Sequence, residues 1–92
     1  MVSICRRCLV DGLVQGVFYR ASTCQKAIEI GGLAGWVRNC DDGRVEVLVQ
    51  GAPDKVEDFI DWLWTGSTAS NVSSVQCHEE EPGDYPAFSV IR

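Results

Sequence analysis

In residues 10–20, V-D-G-L-V-Q-G-V-F-Y-R, a strand-like run passes into a turn bounded by Gly12 and Gly16, and Arg20 stands two residues before a helical pattern. Successive backbone N–H groups in such a turn can converge on an anion. The N-terminus of the following helix adds unsatisfied donors and a partial positive charge. Gly16 carries no Cβ, so a ligand can approach the backbone closely there. The guanidinium of Arg20 presents a planar fork that matches two phosphate oxygens. Together these residues read as a receptor for one phosphoryl group. No G-K-[ST] follows, so the turn is not a nucleotide-binding P-loop. A glycine turn followed by one arginine is also common in ordinary proteins, and a second signal is needed to give it weight.

That signal is the stretch of residues 35–45, G-W-V-R-N-C-D-D-G-R-V, which puts Asn39 at the end of a predicted strand beside a hairpin turn. An asparagine can hold a water through its side-chain carbonyl but cannot take its proton at neutral pH. It suits an orienting role and would serve poorly as a base.

Taken together, G-x-V-Q-G-V-x-Y-R (residues 12–20) and G-W-V-R-N-x-x-D-G-x-V-E-V (residues 35–47) closely resemble the acylphosphatase family. With Val49-Gln50-Gly51 the likeness spans residues 8–51, while the later elements agree in order and length only. The resemblance implies that the backbone amides of Gln15, Gly16, Val17, Phe18 and Tyr19 hold a phosphate together with Arg20. It implies that Asn39 orients a water for attack on phosphorus. It further implies a small acyl phosphate as substrate, inorganic phosphate as product and inhibitor, and no metal or organic cofactor. Phosphoryl transfer depends mainly on positioning and on stabilising charge over the equatorial oxygens. A carboxylate leaving group departs without protonation, so no general acid is required, which fits a chain whose single histidine, His78, lies outside both motifs. The interval from Arg20 to Asn39 is one residue longer than the family's usual spacing, and the extra residue is assigned to Gly31-Gly32. A loop there absorbs one residue; a shift of the strand itself would turn Asn39 to the wrong side of the sheet. The rival reading is a non-catalytic anion-binding or protein-interaction module on the same fold.

The elements that must position these groups follow from periodicity. Residues 4–14 read as a strand with Cys8, Val10 and Gly12 on one face. Residues 22–31 read as a helix, opened by a Ser22/Gln25 capping box and carrying Cys24, Ala27, Ile28 and Gly31 as its stripe. Residues 34–40 form a second strand, Asp41-Asp42-Gly43 a hairpin turn, and residues 44–50 a third strand. In that strand Val45, Val47 and Val49 share one face, with Arg44, Glu46 and Gln50 on the other. Pro53 starts a second helix whose stripe is Val56, Phe59, Ile60 and Leu63, and Gly66 stops it. Residues 67–74 read as a loop, Val75 and Cys77 as part of a fourth strand, and residues 88–91 as an added edge. The order βαββαβ predicts an α+β, ferredoxin-like sandwich: an antiparallel four- to five-stranded sheet with two helices on one face.

Composition narrows the function classes. The 92 residues suit one domain, residues 1–92, with 46% hydrophobic and 23% charged side chains and a net charge of −5. Six basic residues face four acidic ones in residues 1–44, and two face nine in residues 45–92, so an anion is better received by the first half. The acidic balance and the absence of aromatics from the third strand argue against nucleic acid. No apolar run is long enough to span a membrane and the N-terminus has no secretory pattern, so a cytoplasmic protein is expected. The charged outer helix faces predict a monomer. An odd count of five cysteines in such a protein predicts reduced thiols, with Cys5 and Cys8 acting as small hydrophobes. Trp36, Trp62 and Trp64 read as packing residues, and the Glu79-Glu80-Glu81 run as a charged sheet edge that discourages strand pairing.

Overall fold

A computed structural model describes residues 2–92 of the chain. Its elements are β1 (Ile4–Leu13), α1 (Tyr19–Ile30), β2 (Ala34–Asn39), β3 (Val45–Gly51), α2 (Pro53–Leu63), β4 (Asn71–Glu80) and β5 (Ser89–Val90). They form one five-stranded sheet in the order β4-β1-β3-β2-β5. Every neighbouring pair is antiparallel except β2 and β5, which run parallel. The architecture is the ferredoxin-like α+β sandwich. Valines at alternate positions put β3 at its centre, because Val45, Val47 and Val49 are all fully buried. They join Val10, Val37, Tyr19, Ala27 and the α2 stripe of Val56, Phe59 and Leu63 in one core. Each such side chain contributes about 1.5–3 kcal/mol by leaving water, enough to fix which face of the sheet the helices cover. Among the described residues, no helix is long and apolar enough to cross a membrane.

Helix α1 departs from the expectation at its start. It begins at Tyr19, and its N-cap is Phe18 in the left-handed region, with no side-chain cap bond. The Ser22/Gln25 capping box does not form; Ser22 N–H donates to the Phe18 carbonyl at 3.0 Å, one turn into the helix. A distant contact sets the earlier start: buried Tyr19 donates its hydroxyl to the Leu63 carbonyl at the end of α2, at 2.7 Å. The buried stripe is consequently Tyr19, Thr23 and Ala27. Ile28, expected inside, is 70% exposed. Thr23 can occupy a core position because its hydroxyl is satisfied by the Tyr19 carbonyl at 2.7 Å. Strand β4 is also longer than expected, since the full length of β1 offers it partners across a bulge at Asp11/Gly12.

The cysteine expectation is corrected as well. Cys8 and Cys77 stand opposite each other across β1 and β4 and are joined by a disulfide, with their Cα atoms 4.0 Å apart. Cys5, Cys24 and Cys40 are free thiols. Three residues along a strand is an odd step, so Cys5 points away from Cys8 and the C-x-x-C cannot act as a chelating pair.

The sheet face opposite the helices carries an ion cluster. Glu46 is only 8% exposed, although it was expected on the polar face. It accepts hydrogen bonds from Arg7 at 3.0 Å and Arg38 at 2.7 Å, and Arg7 also donates to Glu80 at 2.8 Å. Both guanidinium groups lie over the Trp36 ring, at 5.7 and 5.9 Å from its centre. Burial pushes the Glu46 carboxyl up, but the two arginine hydrogen bonds and charges outweigh it and hold it below its ordinary value.

Candidate active site

The turn between β1 and α1, residues 14–18, alternates in backbone hand as an anion nest would. Gly16 has φ 73° and Phe18 φ 62°, while Val17 between them does not enter the positive region. Alternation of this kind points consecutive N–H groups to one side. Phe18 is the only described non-glycine residue with positive φ, a conformation that costs an L-residue about 1–2 kcal/mol. Its side chain gains nothing in return, being 81% exposed. Strain without packing is found where a backbone conformation serves function. Among the described residues, the backbone N–H groups of residues 16–21 donate to no other backbone group. A Cβ built on Gly16 would meet nothing within 4 Å, so the space beside that residue is open.

A cavity of about 360 Å³ lies against this turn, lined by Val14, Gly16, Phe18, Arg20 and Val90 among others. Arg20 projects from the first turn of α1 and is half-buried. Among the described residues, no carboxylate pairs with it. Unengaged amides, a helix N-terminus and an arginine thus lie close together beside this cavity, an arrangement that could receive an anion.

Side-chain hydrogen bonds from three residues tie the turn and the start of α1 to the rest of the fold. Gln15 Nε2 donates to the Cys40 carbonyl at 2.7 Å and the Arg44 carbonyl at 2.9 Å, tying the turn to the β2–β3 hairpin. Ser67 Oγ donates to the Val17 carbonyl at 2.7 Å. The Tyr19 hydroxyl anchors the start of α1 on Leu63, and burial holds its pKa far above the ordinary phenol value. Gln15 was expected as a backbone donor; its side chain has the separate task of a tether. Ser67 lies in a segment read only as a loop, and nothing in its local sequence marks it.

Asn39 is the last residue of β2. It pairs with Val45 and, two positions on from Val37, shares the helix-bearing face. Gly31 and Gly32, with φ 78° and 72°, connect α1 to β2. Asn39 Oδ1 is buried and has no hydrogen-bond partner. An unsatisfied buried carbonyl costs about 1–3 kcal/mol, and folded proteins contain few of them. The neighbouring Cys40 carbonyl receives Gln15, and Val37 lies beside Val90, which lines the cavity. The structure thus brings the two motifs to one end of the sheet. The hairpin between them is braced by Asp42, which accepts from the Arg44 backbone N–H at 3.1 Å and pairs with its guanidinium. Trp64 and His78 are exposed away from these contacts. Among the described residues, no group of three His, Cys, Asp or Glu side chains is placed to hold a metal ion.

A ferredoxin-like sandwich whose first strand passes through a glycine turn into a helix with an arginine in its first turn defines a class of small α+β proteins. Within that class, residues 6–90 match the family model described as Acylphosphatase. The chain is 50% identical over 86 residues to an acylphosphatase of Nitrosococcus oceani, covering 94% of this chain and 96% of that one. Its fold superposes on an acylphosphatase from Coxiella burnetii with a TM-score of 0.91 at 39% identity, covering 97% of this chain and 93% of that one. The crystal structure of acylphosphatase from Bacillus subtilis gives a TM-score of 0.91 at 36% identity, over 97% and 99% of the two chains. The chain belongs to the acylphosphatase family, and its enzyme class is that of an acylphosphate phosphohydrolase.

Proposed function

We propose that this protein hydrolyses the carboxyl–phosphate bond of small acyl phosphates without a metal, as a monomeric single domain. The phosphoryl group sits in the nest, held by the amides of residues 15–19 and by Arg20. A water is held by Asn39 Oδ1. Its oxygen bonds to phosphorus as the bond from phosphorus to the carboxylate oxygen breaks. The electron pair of that bond leaves with the carboxylate, and the water's proton passes to a phosphate oxygen or to solvent. The nest and guanidinium stabilise charge on the equatorial oxygens, where phosphoryl transfer most needs it.

The observation that carries this reading is the turn whose amides are unengaged, beside an Arg20 guanidinium that no described carboxylate pairs with. Donors left open beside a guanidinium suit a phosphate, and Asn39 at the same end of the sheet is the amide available to orient a water. The test is hydrolysis of acetyl phosphate or benzoyl phosphate in EDTA. Intact protein is expected to turn over. Arg20→Ala should lose turnover and weaken inhibition by inorganic phosphate, whereas Asn39→Ala should lose turnover and keep that inhibition. An intact protein that binds phosphate without hydrolysing either substrate would leave an anion-binding module and refute the catalytic reading.

A further inference from the structure

Ser67 lies just beyond α2, fifty residues from the turn it touches, and donates its hydroxyl to the Val17 carbonyl at 2.7 Å. We infer that Ser67 is a positioning residue for phosphate: by holding the Val17 carbonyl on one side of the turn, it aims the Phe18 N–H into the anion cavity. The inference rests on the reading of the turn as the phosphate receptor.

The geometry leads there in three steps. No cis peptide bond occurs among the described residues. In a trans peptide the carbonyl and the N–H point in opposite directions, so the Val17 carbonyl and the Phe18 N–H cannot share a side. The two sides of the turn are also distinct spaces. Gly16 lines the 360 Å³ cavity with Arg20, whereas Val17 and Ser67 line a separate groove of about 350 Å³, and Phe18 borders both. The carbonyl therefore faces the groove and the N–H faces the cavity.

The peptide needs such a hold because Phe18 is strained, with φ 62° and ψ 21°. Rotation of the 17–18 peptide would relieve that strain by returning φ to negative values, and it would turn the N–H out of the cavity. Ser67 opposes the rotation, since its bond exists only while the carbonyl points into the groove. Ser67 is itself fixed: its carbonyl accepts the Ser70 N–H at 3.0 Å and the Ser70 hydroxyl at 2.7 Å.

The experiment compares wild type with Ser67→Ala, Ser67→Thr and Ser67→Cys, using inorganic phosphate as inhibitor and acetyl phosphate as substrate. Loss of one hydroxyl hydrogen bond predicts that Ser67→Ala raises the phosphate inhibition constant and KM by about 3- to 10-fold. Threonine keeps the hydroxyl and should stay within about 2-fold of wild type, while cysteine, a weak donor, should fall between threonine and alanine. Thr23→Val controls for stability: it removes a buried hydroxyl bond within α1 and should lower the melting temperature while leaving both constants in place. On titration with phosphate, the Phe18 amide NMR signal should shift in wild type and Ser67→Thr and shift much less in Ser67→Ala.

Unchanged inhibition, KM and Phe18 response in Ser67→Ala would overturn the inference, as would an equal weakening in Thr23→Val. If Ser67→Ala does not fold, the threonine and cysteine variants decide it, and identical constants for those two refute it. The reading of the site as an enzyme fails separately, if wild type binds phosphate but leaves acetyl phosphate intact; the phosphate titrations still judge Ser67 in that case.

Discussion

Replacement of Asn39 by valine changes one side chain at the end of β2, beside buried Val37 and opposite buried Val45. The amide oxygen it removes is buried without a partner. Such a group costs about 1–3 kcal/mol relative to an apolar one, and that cost disappears in the variant. Valine also suits a strand better than asparagine does. It has one heavy atom fewer, and the small gap left behind returns part of the gain. The net expectation is about 1 kcal/mol of added stability, or about 4–8 °C in Tm for a domain of this size. On the proposed mechanism the same substitution deletes the acceptor for the attacking water, and loss of such positioning lowers turnover about 100-fold or more. Phosphate inhibition should be retained, because the nest and Arg20 are untouched. Urea unfolding and thermal melts give the first quantity, and acetyl phosphate hydrolysis with phosphate inhibition gives the others. A variant that loses more than about 0.5 kcal/mol of stability and keeps its turnover would refute the reasoning. Asn39 would then be a structural residue with a satisfied side chain.

Two further outcomes follow from the tethers and the ion cluster. Gln15→Leu removes two hydrogen bonds, at 2.7 and 2.9 Å, and should cost about 2 kcal/mol in urea unfolding at about 1 kcal/mol each. It should also lower kcat/KM for acetyl phosphate, since the nest is released from the hairpin that carries Asn39; unchanged stability would show that the tether contributes nothing. Glu46→Gln should cost about 2 kcal/mol at pH 7, less than for a fully buried pair because Arg7 and Arg38 still reach water. The folded-state pKa of Glu46 is lowered from 4.5. Its contribution is therefore present above that unfolded value and is lost as the pH falls through the lower folded one. Wild-type stability should drop more steeply than that of Glu46→Gln as the pH is taken below 4.5, and parallel curves would refute the assignment.

Local patterning made most of the fold legible. The alternating valines of β3, the 3.6-residue stripe of α2 after Pro53, the Asp-Asp-Gly hairpin and the glycine-bounded turn all follow from spacing between near neighbours. The candidate site was legible as residue types and motifs: Arg20 suits a phosphate and Asn39 a water, and it was the resemblance of their two stretches to the acylphosphatase family that joined them. Expectations failed where a polar residue had a distant partner. Thr23 took a core position that Ile28 was expected to fill, since a hydroxyl bonded to Tyr19 can be buried at little cost. Helix α1 began early because Tyr19 bonds to Leu63, forty-four residues away.

By itself, then, the sequence determined which elements form, which of their faces are apolar, and which residue types are available for phosphate and water. Only the tertiary structure decided how those groups are aimed. The Gln15 tether to the hairpin, the Ser67 hold on Val17, the Cys8–Cys77 bond and the Arg7–Glu46–Arg38 cluster each join segments distant in the chain or on different strands. Their partners are set by strand register and by helix packing. Periodicity reports a residue's face, but not the neighbour across the sheet, because that neighbour is chosen when the whole core closes at once.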